Sequence, residues 1–521
     1  VGKFQDLRTG TGMTKTTSAE AWHRRALKAA APGFPDRSAG PGKPWHLLLL
    51  AVLMLVLALP AAALVAPGFL GPEPPAPAPE APPWQREPSA LASPQGLAPL
   101  ESTAPVPDPA VLSAQVDPLL KTDGGGTFTG IVQDALTGQV LFDRGGADSR
   151  VPASNMKLLT SVAALRALGP DHTFATRVVK GPAANQVVLV GGGDVLLGPG
   201  ESKPGEVMGR AGLTTLAAQA VASLQANGAS GEIKVLLDDS LFTGPALNPA
   251  WQEGDVAAGE VAPVYPLAMN SARYDPAVTT GPRPQDAAQS AAEEFAARLR
   301  AAGAAAGLTV AAGVDRSPGA GSTAPAAGTE RPRVLAEVQS ATVASQVDLL
   351  LQESDNYLAE VMGRMASIVD GGPGSNDGAT AAVSSQLAQA GIAAGPLALV
   401  DVCGLAMGNQ VSAGQFAEVV RAITTGADAR LRAALDGFPV AGLTGTLDSR
   451  YGDESTVQGA GLVRAKTGTL NTVLALSGYV VDADGRLLVF SFIGNDLTPG
   501  AAGNKVALDR AATALAGCGC R

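Results

Sequence analysis

Strand-forming segments stand at both ends of residues 111–521, with helix-forming segments between them. Near the start, Gly130-Ile131-Val132-Gln133-Asp134 and Gln139-Val140-Leu141-Phe142 flank Thr137-Gly138 and read as a β-hairpin. Near the end, Leu462–Lys466, Val473–Val481 and Arg486–Ile493 read as strands, the last two joined by a turn at Asp482-Ala483-Asp484-Gly485. This arrangement predicts an α+β domain whose sheet combines N-terminal and C-terminal strands. Between them, apolar residues at Leu158, Leu159, Val162, Leu165 and Leu168 predict an amphipathic helix that Gly169-Pro170 stops. Val187–Val190 and Ile233–Asp238 read as strands, and Leu213–Asn227 and Ala287–Ala302 as helices. Val338–Glu353 and Tyr357–Val369 also read as helices, and Lys505–Ala516 as a closing helix with Asn504 placed to cap it.

Charge divides the chain before this body begins. Residues 1–44 carry a net +5 against −10 for the whole chain. Trp45 to Ala66 follow without a charge, long enough to cross a bilayer. Basic residues ahead of such a run keep the N-terminus inside and send the remainder out. Two readings stand: a retained type II anchor, or a signal segment cut near Ala61-Ala62-Ala63, which would release a secreted protein. Residues 67–110, rich in Pro and Ala, read as an extended linker that lifts the folded body off the membrane. The acidic balance gives no basis for nucleic-acid binding. Three cysteines suit a protein that does not depend on a disulfide framework, and the sequence leaves their pairing open.

The chemistry must be assembled from few parts. Of three histidines, His23 and His46 lie before or at the edge of the apolar run, which leaves His172 in a surface-like loop. A Ser-His-Asp triad and a multi-histidine metal site are therefore both disfavoured. Gly191-Gly192-Gly193-Asp194 lacks the Gly-Lys-Ser/Thr ending of a phosphate-binding loop. Any nucleophilic chemistry then needs lysine as its base. Only one of the eleven lysines, Lys157, has a serine three residues before it. That spacing puts Ser154 and Lys157 on one helix face, where a lysine of lowered pKa can take the hydroxyl proton.

Two further stretches follow in order, Ser354-Asp355-Asn356 and Lys466-Thr467-Gly468. Ser354 can pass a proton between lysine and a leaving amine. Asn356 can hold a substrate amide or orient Lys157. Lys466 supplies positive charge for a substrate carboxylate, and a second ammonium near Lys157 lowers the pKa of that lysine. Thr467 and Thr469 border the same strand, where Gly468 would let a substrate backbone lie close. The N–H groups of Ser154 and Thr469 could form an oxyanion hole, with about 3 kcal/mol resting on each donor.

The three stretches, in this order, resemble those of penicillin-binding enzymes. Pro152–Thr160, Ser354–Glu360 and Val463–Leu470, together with Gly191–Asp194 and Asp238–Phe242, are most similar to the D-alanyl-D-alanine carboxypeptidase/endopeptidases of the penicillin-binding protein 4 type, peptidase family S13. The resemblance covers roughly residues 111–517. It implies a penicillin-recognising, transpeptidase-like domain, an antiparallel sheet flanked by helices, built from residues 111–180 and 333–521 with residues 181–332 inserted. It further implies a Ser154 acyl-enzyme on peptidoglycan stem peptides ending in D-Ala-D-Ala, β-lactams as inhibitors, and neither metal nor cofactor. One departure stands out. Where family members carry Asp-Gly-Ser-Gly-Leu-Ser, this chain has Asp401-Val402-Cys403-Gly404-Leu405-Ala406, which removes two hydroxyls and puts a thiol in place of one.

Two other readings compete. A class A β-lactamase needs a glutamate to activate the deacylating water, and no Glu-x-x-Leu-Asn stretch lies between the second and third motifs. A degenerate wall-binding scaffold would retain the fold without turnover, and the altered 401–406 loop is the feature that favours it. Acylation by penicillin followed by turnover of a D-Ala-D-Ala peptide separates the three.

Overall fold

The computed structural model describes residues 102–319, 332–392 and 397–519, together with Val52 and Leu100. The 1–44 leader and, apart from Val52, the 45–66 segment expected to anchor or export the chain lie outside the described residues. No helix among the described residues is long and apolar enough to cross a membrane. The chain divides into Val1–Gln95 and Gly96–Arg521, and the fold below is that of the second unit.

In chain order, α1 (Pro109–Val116), β1 (Gly125–Asp134) and β2 (Val140–Arg144) precede α2 (Met156–Ala167). Then come β3 (Ala175–Lys180), β4 (Gln186–Val190), α3 (Leu213–Ala226), β5 (Glu232–Asp238), α4 (Ala287–Ala304) and β6 (Val334–Gln339). Four helices follow: α5 (Val343–Glu353), α6 (Asn356–Val369), α7 (Asn376–Gln389) and α8 (Ala413–Thr424). The strands β7 (Arg464–Leu470), β8 (Val473–Val481) and β9 (Leu487–Thr498) lead to α9 (Lys505–Ala516).

The main sheet runs β7-β8-β9-β1-β2, antiparallel throughout, so strands from both ends of the body meet where β9 pairs β1. Alternation along β9 explains why the sheet is covered on both sides. Leu488, Phe490 and Phe492 pack with Leu112 and Val116 of α1 and Leu508 and Leu515 of α9. Leu487, Val489 and Ile493 point the other way, into the core shared with α2 and α8.

A second sheet holds β5-β4-β3-β6 and is extended by short strands beside β5. Strands β4 and β5 run parallel, while β3 is antiparallel to both of its neighbours. Helices α3 and α4 cover one face. The chain after β5 does not stay with this sheet. Trp251, Val261, Ala262 and Val264 pack into the core of α2, so part of the inserted chain returns to the first motif.

Four local expectations need correction. Helix α2 is not amphipathic: every residue from Met156 to Leu165 is buried. It is threaded among α5, α6, α7 and α8 and so has no solvent face. Its polar residues are satisfied internally, Thr160 by the Val402 carbonyl at 2.5 Å and Ser161 by the Lys157 carbonyl at 2.7 Å. The stretch taken as helix from Val338 begins as strand β6, because Val338 pairs with Thr176 on β3. Strand β7 starts at Arg464 and runs to Leu470, two residues later than expected at its start. Asn504 makes no side-chain cap to α9; its Oδ1 instead accepts the Asp123 N–H at 2.6 Å.

The sheet is also tied to the incoming chain. Arg486 places Nε 2.6 Å and Nη2 2.7 Å from the two Asp134 oxygens, and its Nη1 donates to the carbonyls of Ser102 and Ala104. The paired side chains are 4% and 0% exposed. Arg486→Met leaves a buried carboxylate without its cation, so unfolding free energy should fall by about 3–5 kcal/mol. Chemical denaturation of the variant beside wild type measures this; an unchanged midpoint would contradict the pairing.

Candidate active site

Three backbone devices bring the motifs together. The first is the turn before α2. Ala153 adopts a left-handed φ of 47° and Ala153–Asn155 form a single 3₁₀ turn, which presents Ser154, half-buried, ahead of the helix. The second is the junction of α5 and α6. Ser354 ends α5 with a left-handed φ of 59°, and the Asp355 carboxylate caps α6 by accepting the Leu358 N–H at 3.0 Å. The third is β7, the edge strand of the main sheet, whose Lys466 lies opposite Ser477 on β8.

Gly468 lies against the turn before Met156. A Cβ there would lie 3.0 Å from the Pro152 carbonyl and 3.1 Å from the Ser154 nitrogen. The glycine lets β7 dock against the Ser154 turn. Thr467 and Thr469 do line the cleft beside Ser154.

Lys157 is fully buried with three polar contacts. Its Nζ lies 2.6 Å from Asn356 Oδ1, 2.7 Å from the Cys403 carbonyl and 2.9 Å from Ser154 Oγ. The first two partners can only accept. The Asn356 amide is held in that orientation because its Nδ2 donates to the Glu260 carbonyl at 2.9 Å. A neutral amine has two hydrogens, and both are taken. Its lone pair then faces the Ser154 hydroxyl, which is the arrangement a general base needs. Burial pushes Lys157 below the ordinary lysine range, opposed in part by Cys403, Asp401, Asp355 and Glu360. Lys466 is pushed down further, by burial and then by Lys157. It donates to Ser354 Oγ at 2.9 Å and to the Thr467 carbonyl at 2.8 Å.

Behind Lys157 lies a support that the motifs did not signal. Asp401, fully buried, accepts from the backbone N–H groups of Gly404, Leu405 and Ala406 and from Trp251 Nε1. Glu360 Oε1 accepts from the N–H groups of Val402 and Cys403 at 2.9 and 3.0 Å. Burial, then Asp401, pushes Glu360 up to about 7. These acids and the Cys403 thiol are close enough to suggest a metal site. Asp401 and one oxygen of Glu360, however, are already committed to backbone amides, and the cluster serves to fold the loop that delivers the Cys403 carbonyl. The altered side chains of this loop do not face substrate: Cys403 is fully buried and Ala406 nearly so. Gly404 is indispensable in this geometry. Its φ is 89°, and a Cβ would lie 2.0 Å from the Ala153 carbonyl.

The cleft has two lobes that meet at Ser154, Asn356 and Thr469. One, of about 640 Å³, runs past Gly404, Leu405 and Met407. The other, of about 310 Å³, is lined by Thr446, Thr467 and the arginines 273, 283 and 450. Thr446 Oγ1 lies 2.7 Å from Thr467 Oγ1. His172 is exposed, packs edge-on against Phe174 and lines neither lobe.

A family model described as the D-Ala-D-Ala carboxypeptidase 3 (S13) family matches residues 112–286 and 278–515. A carboxypeptidase of Mycobacterium tuberculosis is 35% identical over 441 residues, covering 84% of this chain and 90% of the relative. Carboxypeptidase DacB of Mycolicibacterium smegmatis is 33% identical over 473 residues, covering 90% and 96%. Penicillin binding protein 4 from Haemophilus influenzae shares the fold, with a TM-score of 0.59 at 21% identity over 76% of this chain and 97% of that one.

Two substitutions separate backbone from side chain in the 401–406 loop. Gly404→Ala should slow labelling of Ser154 by fluorescent penicillin by about 100-fold, the scale of a misplaced nucleophile. Cys403→Ser should leave labelling nearly unchanged, because Lys157 bonds the carbonyl. The opposite ranking of the two rates would overturn this assignment.

Proposed function

The chain belongs to the D-Ala-D-Ala carboxypeptidase S13 family, and from that premise we propose how its residues divide the work of a serine carboxypeptidase acting on peptidoglycan stem peptides. Ser154 is the nucleophile and Lys157 its base. The observation that carries this reading is the placement of Lys157 Nζ, 2.6 and 2.7 Å from two obligate acceptors and 2.9 Å from Ser154 Oγ, so that a neutral amine there turns its lone pair to the serine.

Ser154 Oγ attacks the carbonyl of the penultimate D-Ala as Lys157 takes the hydroxyl proton. The N–H groups of Ser154 and Thr469 receive the developing oxyanion, an interaction realised only as the tetrahedral centre forms. Ser354, bonded to Lys466, hands its proton to the departing amine of the terminal D-Ala and takes in its place the proton that Lys157 removed from Ser154, which leaves Lys157 neutral again. Lys466 with Thr467 and Thr469 attracts the terminal carboxylate. Water then attacks the Ser154 ester, Lys157 again takes the proton and passes it to Ser154 Oγ as the acyl–oxygen bond breaks, and the shortened stem leaves. A β-lactam ring presents the same carbonyl and carboxylate and acylates the same serine.

This reaction belongs outside the cytoplasmic membrane, where its substrate is. The basic leader and the apolar 45–66 segment support export of everything after them, as an anchored or a released enzyme.

The full chain should release D-Ala from diacetyl-Lys-D-Ala-D-Ala, and Ser154→Ala should abolish both release and penicillin labelling. Release that persists in Ser154→Ala would overturn the assignment. A stable penicillin adduct without peptide turnover would favour the scaffold reading instead.

The acylation rate should rise with pH as Lys157 loses its proton. Because burial lowers that pKa, the midpoint of the rise should lie below the free-lysine value of about 10.4. A midpoint at or above that value would argue against Lys157 as base.

A further inference from the structure

Arg273 lies outside all three motifs, in the chain between β5 and α4. The three residues before it, Asn270, Ser271 and Ala272, all take left-handed conformations, with φ of 52°, 56° and 55°. Such a run of non-glycine residues persists only where its surroundings over-determine it. Here they do. The Asn270 and Ser271 N–H groups donate to the carbonyls of Leu197 and Val195 at 3.1 and 2.7 Å, and Arg283 donates to the Ser271 carbonyl at 2.8 Å.

The turn delivers the Arg273 guanidinium, its side chain 3% exposed, to the junction of α5 and α6. One nitrogen lies 2.9 Å from Glu353 Oε2 and another 2.7 Å from Asp355 Oδ2, on a side chain with no exposure. Those two carboxylates bracket Ser354, the left-handed residue whose hydroxyl meets Lys466. Asn356, which orients Lys157, is the next residue.

We propose that Arg273 is a positioning residue for the reaction: it clamps the Ser354 turn in its left-handed form and offsets the negative field of Asp355 at Lys157. The proposal deepens the reading of Lys157 as base and rests on it. Several charged and titratable groups act on Lys157. Asp355 and Glu360 face it from α6 and Asp401 and Cys403 from their loop, all favouring the protonated amine, while Lys466 on β7 is a second basic group beside it. Arg273 is shared between Glu353 and Asp355, with Arg283 nearby. Without it the Asp355 carboxylate acts on Lys157 uncompensated, and the amine holds its proton to higher pH.

The test is the pH dependence of Ser154 acylation by fluorescent penicillin in the full chain. Wild type is compared with Arg273→Met, Arg273→Lys and Asp355→Asn. In Arg273→Met the acid limb should move up by about one pH unit, the lower end of the range for a nearby charge. Arg273→Lys should bring the limb back toward wild type and leave the plateau rate low, since a single ammonium cannot bracket two carboxylates as a guanidinium does. Asp355→Asn keeps the α6 cap and should move the limb down.

If Arg273→Met does not fold, Arg273→Lys decides alone: a lowered plateau rate supports the proposal, and a wild-type plateau with an unmoved limb overturns it. If wild type is acylated and the limb stays put in every folded variant, Arg273 is structural only and the proposal fails by itself. If wild type takes no penicillin, the Ser154 reading fails first and carries this one with it.

Discussion

Two lysines are buried within one hydrogen-bonded centre, and among the described residues neither has an ion-pair partner. That is the constraint the rest of the structure answers to. An ammonium sealed from water without a counter-charge costs several kcal/mol, whereas a neutral amine with its hydrogens on carbonyl oxygens costs far less. At Lys157 burial therefore favours the neutral amine that a general base requires. That amine meets groups of fixed polarity, the Asn356 amide oxygen and the Cys403 carbonyl. The acids that would reverse the choice, Asp401 and Glu360, hydrogen-bond to backbone amides, and Asp355 pairs with Arg273.

Much of this was legible before any coordinates. Ser154, Lys157, Ser354, Asn356 and Lys466 meet through side chains, and side chains are what a sequence displays. The sheet closed from both ends was legible for a related reason, since the period of two in the flanking strands survives their burial. The supports were not. The Cys403 carbonyl would be there whatever residue stood at that position, so nothing at 403 announces its contact with Lys157. Arg273 reads as an ordinary surface charge until the left-handed turn before it is known. Helix α2 was misjudged because Leu158, Leu159, Val162 and Leu165 mark one apolar face and cannot show that Thr160 and Ser161 are satisfied internally. The glycine at 468 says that something comes close, without saying that the Ser154 turn does.

In the 401–406 loop, the hydrogen bond to Lys157 and those from the 404–406 amides to Asp401 come from the backbone and do not depend on the altered side chains. The loop relies on a carbonyl at 403, a left-handed glycine at 404 and the buried acid at 401 that gathers the amides. Loss of two hydroxyls removes none of these. The inserted chain is likewise more than an appendage. Trp251 bonds Asp401, Glu260 orients Asn356 and Arg273 brackets Ser354, so three points of the centre rest on residues between the first and second motifs.

The pairing of β1 with β9 sets an order of events during biosynthesis. Asp134 and Arg486 are 352 positions apart, and β1 has no partner on that side until β9 has been made. The Ser154 turn emerges early, but β7, which presses Gly468 against it, arrives with the last strands. A nascent or translocating chain therefore carries its serine without the second lysine or the finished sheet. Long-range pairings of this kind form slowly because the loop must close before any contact rewards it. The cleft is thus completed only when the last strands are in place, so the earliest and the latest parts of the body to be made meet at one wall of it.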